Sequence, residues 1–259
     1  MTGWSGFRAE NYRGEQLPAI LGLVAIAPGA IVGLFAGLAI VTVQGLSLDA
    51  AAWISLGGSL LVFAVGLMDD LIASGPRGLR AHLRSLGSGH MTTGIIKLVV
   101  IAGSSVVVVA AQPVHPGVTR LAGVVLLAGC ANLWNGLDVR PGRALKYFVL
   151  AGGAVLVAGV PMRLAPSVPG VLLGAILALP ADLRERAMLG DGGSNLLGFT
   201  AGLGLYVVLP SPWVWVAAGV AVTLNVLADT VTLSRLIDTV APLRWFDRLG
   251  RVPTSDEPS

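Results

Sequence analysis

Residues 51–70 read AAWISLGGSLLVFAVGLMDD, eighteen uncharged and largely apolar positions closed by two adjacent carboxylates, Asp69 and Asp70. A hydrocarbon core of about 30 Å needs roughly 17 to 25 such residues as a helix, because backbone polar groups must be satisfied within the segment. The stretch therefore predicts a spanning helix over 51–68 that ends on a charged boundary. Working outward, the same reading draws further spans over 17–43, 93–111, 118–134, 145–162, 168–181, 195–209 and 213–236. Tight connectors with Pro or Gly, at 112–117 and 210–212, suit antiparallel hairpins of helices. The expected fold is all-α: one polytopic bundle of eight transmembrane helices over 17–236, between an N-terminal segment 1–16 and a tail 237–259.

Composition excludes a soluble domain. Hydrophobic residues make up 54% of the chain and charged ones 12%, against about 25% charged in an average soluble protein, and the mean hydropathy is +0.81. Cys130 is the single cysteine, so no intrachain disulfide forms. The 1–16 segment carries Arg8 and Arg13 but no apolar run, unlike a secretory signal. The net charge of +3 does not imply nucleic acid, because basic residues beside apolar spans report membrane orientation.

Orientation follows from those cations. With the N-terminus cytoplasmic, Arg8, Arg13, Arg77, Arg80, Arg84, Arg140, Arg143, Lys146, Arg184, Arg186, Arg235, Arg244, Arg248 and Arg251 lie at or near the cytoplasmic side. Lys97 stands a turn inside, and only Arg120 and Arg163 fall near the other face. The positive-inside rule gives that bias its sign, so both termini are expected in the cytoplasm and the chain in the plasma membrane.

Three polar clusters stand at cytoplasmic helix ends. Asp69-Asp70 is either a solvated helix end or a pair whose repulsion a cation, metal or proton relieves. Asn132, Asn135 and Asp138 recur every third residue; they share a face if helix continues, or serve as a C-cap if Gly136 breaks it. Gly190-Asp191-Gly192-Gly193-Ser194 precedes the seventh span. It reads as a phosphate cradle in which Asp191 holds Mg2+, or as a tight turn with Ser194 as N-cap. No Gly-Lys-Ser/Thr follows, so a nucleotide P-loop is a poor match. All three clusters landing on one face suits binding of Mg2+ and a diphosphate, with a lipid entering sideways.

At these residues the sequence resembles the polyprenyl-phosphate N-acetylhexosamine-1-phosphate transferase superfamily, which includes bacterial lipid I synthase. Asp69-Asp70 is similar to its Asp-Asp motif, 132–138 to its Asn-Leu-x-Asp-Gly-x-Asp motif and 190–194 to its Gly-Asp-x-Gly-Ser motif, while Asn11-Tyr12-Arg13-Gly14 with Pro18, and Lys97, also have counterparts. The resemblance implies transfer of a sugar 1-phosphate from a UDP-sugar to polyprenyl phosphate, releasing UMP, with Mg2+ or Mn2+. It implies Asp69, Asp70 and Asp191 as catalytic groups, Asn132 and Asp191 as metal ligands, and Lys97, Asn135, Asp138 and Met188 as substrate contacts. The expected partners are polyprenyl phosphate, the UDP-sugar and the bilayer, with a homodimer as a candidate assembly and no nucleic acid. The sequence departs from the pattern at Asn135, where an aspartate is usual, in Val139-Arg140-Pro141-Gly142, and in lacking the histidine-rich motif, since His82, His90 and His115 lie elsewhere. Arg235, Arg244, Arg248 and Arg251 are candidate substitutes for phosphate contact, or topology anchors. Two other readings are a non-catalytic relative that binds polyprenyl phosphate or scaffolds an envelope complex, and a transporter using Asn225 and Asp229.

Overall fold

The computed structural model describes residues 7–72, 92–230 and 233–252, the side chains of 229 and 230 excepted. Arg77, Arg80, Arg84, His82, His90, the Asp229 side chain and residues 253–259 lie outside the described residues. The chain is an all-α bundle entered by a small antiparallel ribbon, β1 (Arg8–Glu10) with β2 (Gln16–Pro18), in which Ala9 faces Leu17. A π-helical turn, Gly22–Ile26, leads into α1 (Ala27–Val43). There follow α2 (Ala50–Ile72), α3 (Thr93–Ala111), α4 (Thr119–Leu137), α5 (Arg143–Val157), α6 (Ser167–Leu183), α7 (Gly190–Val208), α8 (Ser211–Thr230), α9 (Leu233–Thr239) and α10 (Ala241–Arg248).

Five of these are long and apolar enough to cross a membrane: Gly22–Val43, Ala50–Ile72, Thr93–Ala111, Thr119–Leu137 and Ser211–Ala228. The expectation of eight spans is corrected by this count among the described residues. The physical reasons differ from helix to helix. α5 has 15 residues and carries Arg143 and Lys146 in its first turn. α6 is apolar but has 17 residues. α7 has 19 residues and opens on polar and glycine positions, yet all of it except Asp191, Leu205 and Val208 is buried. A helix enclosed by other helices meets protein on every side, so apolar runs alone overstate how many segments meet lipid.

Several boundaries also move. Leu17 and Pro18 belong to β2, and the first helical segment starts at Gly22. The fifth helix stops at Val157, the seventh begins at Gly190, and the eighth ends by Thr230.

α7 is the central post, packed against α4, α2, α5 and the π-helical turn, while α8 leans on α4, α3 on α2 and α1 on α6. Close helix approach depends on small residues, which let backbones touch and gain dispersion contact. In the α1–α6 pair a Cβ on Gly33 would stand 2.6 Å from the Pro166 carbonyl oxygen, and one on Gly170 would collide with the backbone of Gly29.

The segment after 236, expected as a tail, folds back over 237–252 and is clamped. Arg143 is fully buried; its Nε donates to Asp247 Oδ1 at 2.7 Å and its Nη2 to Oδ2 at 3.0 Å, a two-pronged pair. Arg251 approaches the same carboxylate at 2.6 Å and donates from Nε to the Pro141 carbonyl at 3.0 Å. Lys146 Nζ donates to the carbonyls of Phe246 at 2.8 Å and Leu249 at 3.1 Å. Arg251 is therefore a structural residue, and the expectation of a phosphate contact there is corrected.

Burial acting alone would raise the Asp247 carboxyl, but the Arg143 hydrogen bonds and the charges of Arg143, Arg251 and Lys146 together hold it below the usual carboxylate range. A depressed folded value means the clamp contributes fully above about pH 4, the unfolded value, and is lost as pH falls through the lowered one. Arg143→Met, which leaves a buried carboxylate short of its main partner, should cost about 3 kcal/mol, read as a lowered thermal midpoint in detergent. Asp247→Asn should flatten the acid limb of stability against pH; an unchanged acid limb would remove the clamp from the stability account.

Candidate functional site

α2 and α4 end, and α3, α5 and α7 begin, at one end of the bundle, and the polar clusters meet there. Asp69 closes α2 and Lys97 lies in the first turns of α3. The Lys97 ammonium donates to Asp69 Oδ2 at 2.8 Å and to Asp191 Oδ2 at 2.6 Å, so one cation joins three helices. These side chains are 14% (Lys97), 20% (Asp69) and 35% (Asp191) exposed, and the group is reachable from outside.

Asp70 does something different from its neighbour. Its Oδ1 accepts from the Asp191 N–H at 2.8 Å and its Oδ2 from the Gly192 N–H at 3.1 Å. The first amides of a helix have no partner within it, and their summed dipole favours a negative charge. Asp70 is therefore the N-terminal cap of α7, supplied by another helix. Leu189, in the cap position, makes no side-chain cap bond. The expectation of a tight turn capped by Ser194 is corrected: Gly190-Asp191-Gly192-Gly193-Ser194 is the first turn of α7, and Ser194 Oγ donates to Asn135 Oδ1 at 2.9 Å and to the Asp191 carbonyl at 3.3 Å. Gly190 has φ +72°, a left-handed conformation that a side chain resists, and a Cβ there would stand 2.7 Å from Asp70 Oδ2. Gly66 on α2 allows the approach from the other side, since a Cβ on it would lie 2.7 Å from the Asp191 carbonyl oxygen.

The second cluster divides. Helix continues through Gly136 to Leu137, which rejects the broken-helix alternative, and Asp138 follows as the C-terminal residue. Asn135 meets Ser194, whereas Asn132 donates to Asn225 Oδ1 on α8 at 2.6 Å. Asn225 in turn donates to the carbonyls of Gly129 and Ala221, at 2.9 and 2.8 Å. The bond Asn132 makes is thus to α8, not to the carboxylates.

Asp138 and Met188 line a shallow cleft together with Asn11, Tyr12, Arg140 and Asp182. The N-terminal ribbon is bound to the cleft wall by backbone: Met188 N–H donates to Pro18 at 2.8 Å, and Leu21 N–H to Met188 at 3.0 Å. Glu185, at φ +52°, gathers the ribbon through Asn11 Nδ2 at 3.0 Å and Arg13 at 2.7 Å. Burial first, and then the negative charges of Asp182, Asp191 and Asp70, raise the Asp138 carboxyl well above its ordinary value. Met188 in the cleft wall stands three residues before Asp191, so cleft and cluster lie side by side at this mouth. Sequence reading missed Glu185 and Asp182 in this wall, whereas Asn11 and Tyr12 belong to a stretch it had singled out. Glu185 is one acid in an arginine-rich loop, and its partners lie more than 170 positions earlier.

Among the described residues no group of three or more His, Cys, Asp or Glu side chains is placed to hold a metal. Mg2+ needs less than that, because it is held by one or two carboxylates with water and substrate phosphate completing its shell. Asp69 and Asp191 are two hard oxygen donors already converging on one cation, a donor set that suits Mg2+, while Asn132 directs its amide nitrogen to Asn225.

The division of labour between adjacent aspartates is measurable. Asp70→Ala uncaps α7 and should cost about 1–2 kcal/mol, with faster amide exchange at 191 and 192. Asp69→Ala should leave those amides protected; equal exposure in both variants would refute the separation.

No family model matches the chain, and no curated protein matches it either, so the side chains of this mouth carry the functional reading.

Proposed function

We propose that the chain transfers a sugar 1-phosphate, of the N-acetylhexosamine or N-acetylmuramic type, from a UDP-sugar to membrane polyprenyl phosphate, releasing UMP in cell-envelope glycan synthesis. The observation that supports it is the Asp69–Lys97–Asp191 cluster at the bundle end, beside a cleft that holds Asp138 and Met188. The cation bias supports an orientation in which this end faces the cytoplasm, where sugar nucleotides are available, in a plasma membrane.

The acceptor needs no strong base, since a phosphate monoester with a second pKa near 6 is largely dianionic at pH 7. One of its oxygens forms a P–O bond to the sugar-bearing phosphorus of the diphosphate. The bridging P–O bond breaks, and the electron pair leaves on UMP. Lys97 neutralises phosphate charge as it shifts from carboxylate to substrate oxygens, and the α7 amide end, already fixed by Asp70, keeps Asp191 in place. Asp69 and Asp191 would hold Mg2+, which would supply charge neutralisation at the diphosphate.

One observation favours a second reading, a non-catalytic binder of polyprenyl phosphate. The Lys97 ammonium already bonds to both carboxylates, so each has a cationic partner within the chain. Purified chain with Mg2+, polyprenyl phosphate and labelled UDP-sugars should release UMP, and Asp191→Asn should lower the rate by about 10²-fold or more. No UMP across a broad sugar panel, with lipid binding retained, would establish the second reading; full turnover by Asp191→Asn would remove the metal role.

A further inference from the structure

The clamp on Asp247 fixes one face of α10 and thereby decides which face is left over. Leu243, Phe246 and Asp247 turn inward, with Asp247 buried against Arg143. Arg143 is the first residue of α5, six positions after Leu137 ends α4, so α10 is held level with the end of the bundle where an apolar span stops. A helix fixed at that level stands where the apolar spans give way to polar surroundings.

Its outward face has the composition of such a boundary. Trp245 is 66% exposed and Leu249 49% exposed, one turn apart, and Arg244 and Arg248 form an adjacent line at the same spacing. Arg235 is exposed on α9. The acidic residues of the described segment 233–252 do not offset these cations: Asp247 is consumed by the clamp, and Asp238 lies 3.7 Å from Arg140. What faces outward is an aromatic and aliphatic ridge edged by exposed Arg244, whose Nη1 donates to the Asp238 carbonyl at 2.9 Å while its other N–H groups carry the charge outward, and by half-exposed Arg248, a face complementary to negative headgroups above acyl chains.

We propose that α10 is an interfacial helix that docks on the anionic phospholipid headgroups of the leaflet at the polar-mouth end. Trp245 and Leu249 sit at the acyl boundary, and Arg235, Arg244 and Arg248 engage headgroup phosphates. This goes beyond orientation of the spans, which needs cations on one side but no folded amphipathic helix. It does not depend on the transferase reading.

The test uses the full chain reconstituted in vesicles carrying brominated acyl chains, with phosphatidylglycerol in one set and phosphatidylcholine alone in the other. Subtracting the emission of Trp245→Phe isolates Trp245 from the other tryptophans. Its quenching should be at least about twofold stronger with phosphatidylglycerol, and Arg244→Gln with Arg248→Gln should bring it down to the phosphatidylcholine level. A substitution-free arm guards against misfolding: in the wild-type chain, raising salt from about 0.05 to about 0.5 M should weaken the phosphatidylglycerol-dependent part. Trp245 unquenched in both lipids would overturn the proposal and leave the face to water or a protein partner. Equal quenching in both, insensitive to salt and to the arginine substitutions, would overturn the anionic specificity.

Discussion

A helix whose first turn is inside a protein needs something to accept its unpaired amides, and in this chain Asp70 is that acceptor for α7. α7 is buried along almost its whole length, and an uncompensated amide end would carry both lost hydrogen bonds and an unopposed dipole. By fixing α7, Asp70 also fixes where Asp191 points. Lys97 and Asp69 then follow, because an ammonium between two carboxylates has few other places to go at this depth. The arrangement of the mouth is in this sense a consequence of capping one helix.

Adjacent aspartates would ordinarily repel, and the structure resolves that by giving them unlike partners, a mobile side-chain cation for Asp69 and a fixed backbone dipole for Asp70. The two are separable in kind. Lys97 holds Asp69 through a side chain, whereas Asp70 is held by the α7 backbone, so the two contacts belong to different parts of the frame.

Much of this was legible in the sequence because burial in lipid leaves a simple trace. The apolar runs located all the principal helices, and the sidedness of the polar clusters anticipated that Asp69, Lys97 and Asp191 would share one end of the bundle. The trace fails where a helix is hidden from lipid, as for α7, or too short, as for α5, and counting apolar runs gave eight spans where five helices meet the requirement. Cap assignment failed for a related reason. Ser194 was the natural local candidate, but the acceptor arrived from 121 positions away in the chain, which no local pattern encodes. Asn132, which spacing groups with Asn135 and Asp138, also donates to Asn225 of α8, a neighbour that spacing along one helix cannot reveal.

The pairing of Arg143 with Asp247 has a consequence for how the chain is made. The two partners are 104 positions apart, and Arg143 is fully buried in the finished bundle. Synthesis runs from the N-terminus, so α5 emerges long before its counterion exists, and burying a lone guanidinium is costly. The first turn of α5 must therefore stay wet until residue 247 has left the ribosome. The final seating of the bundle waits for α10, and a chain that stops short of α10 carries an unmatched charge where α5 begins.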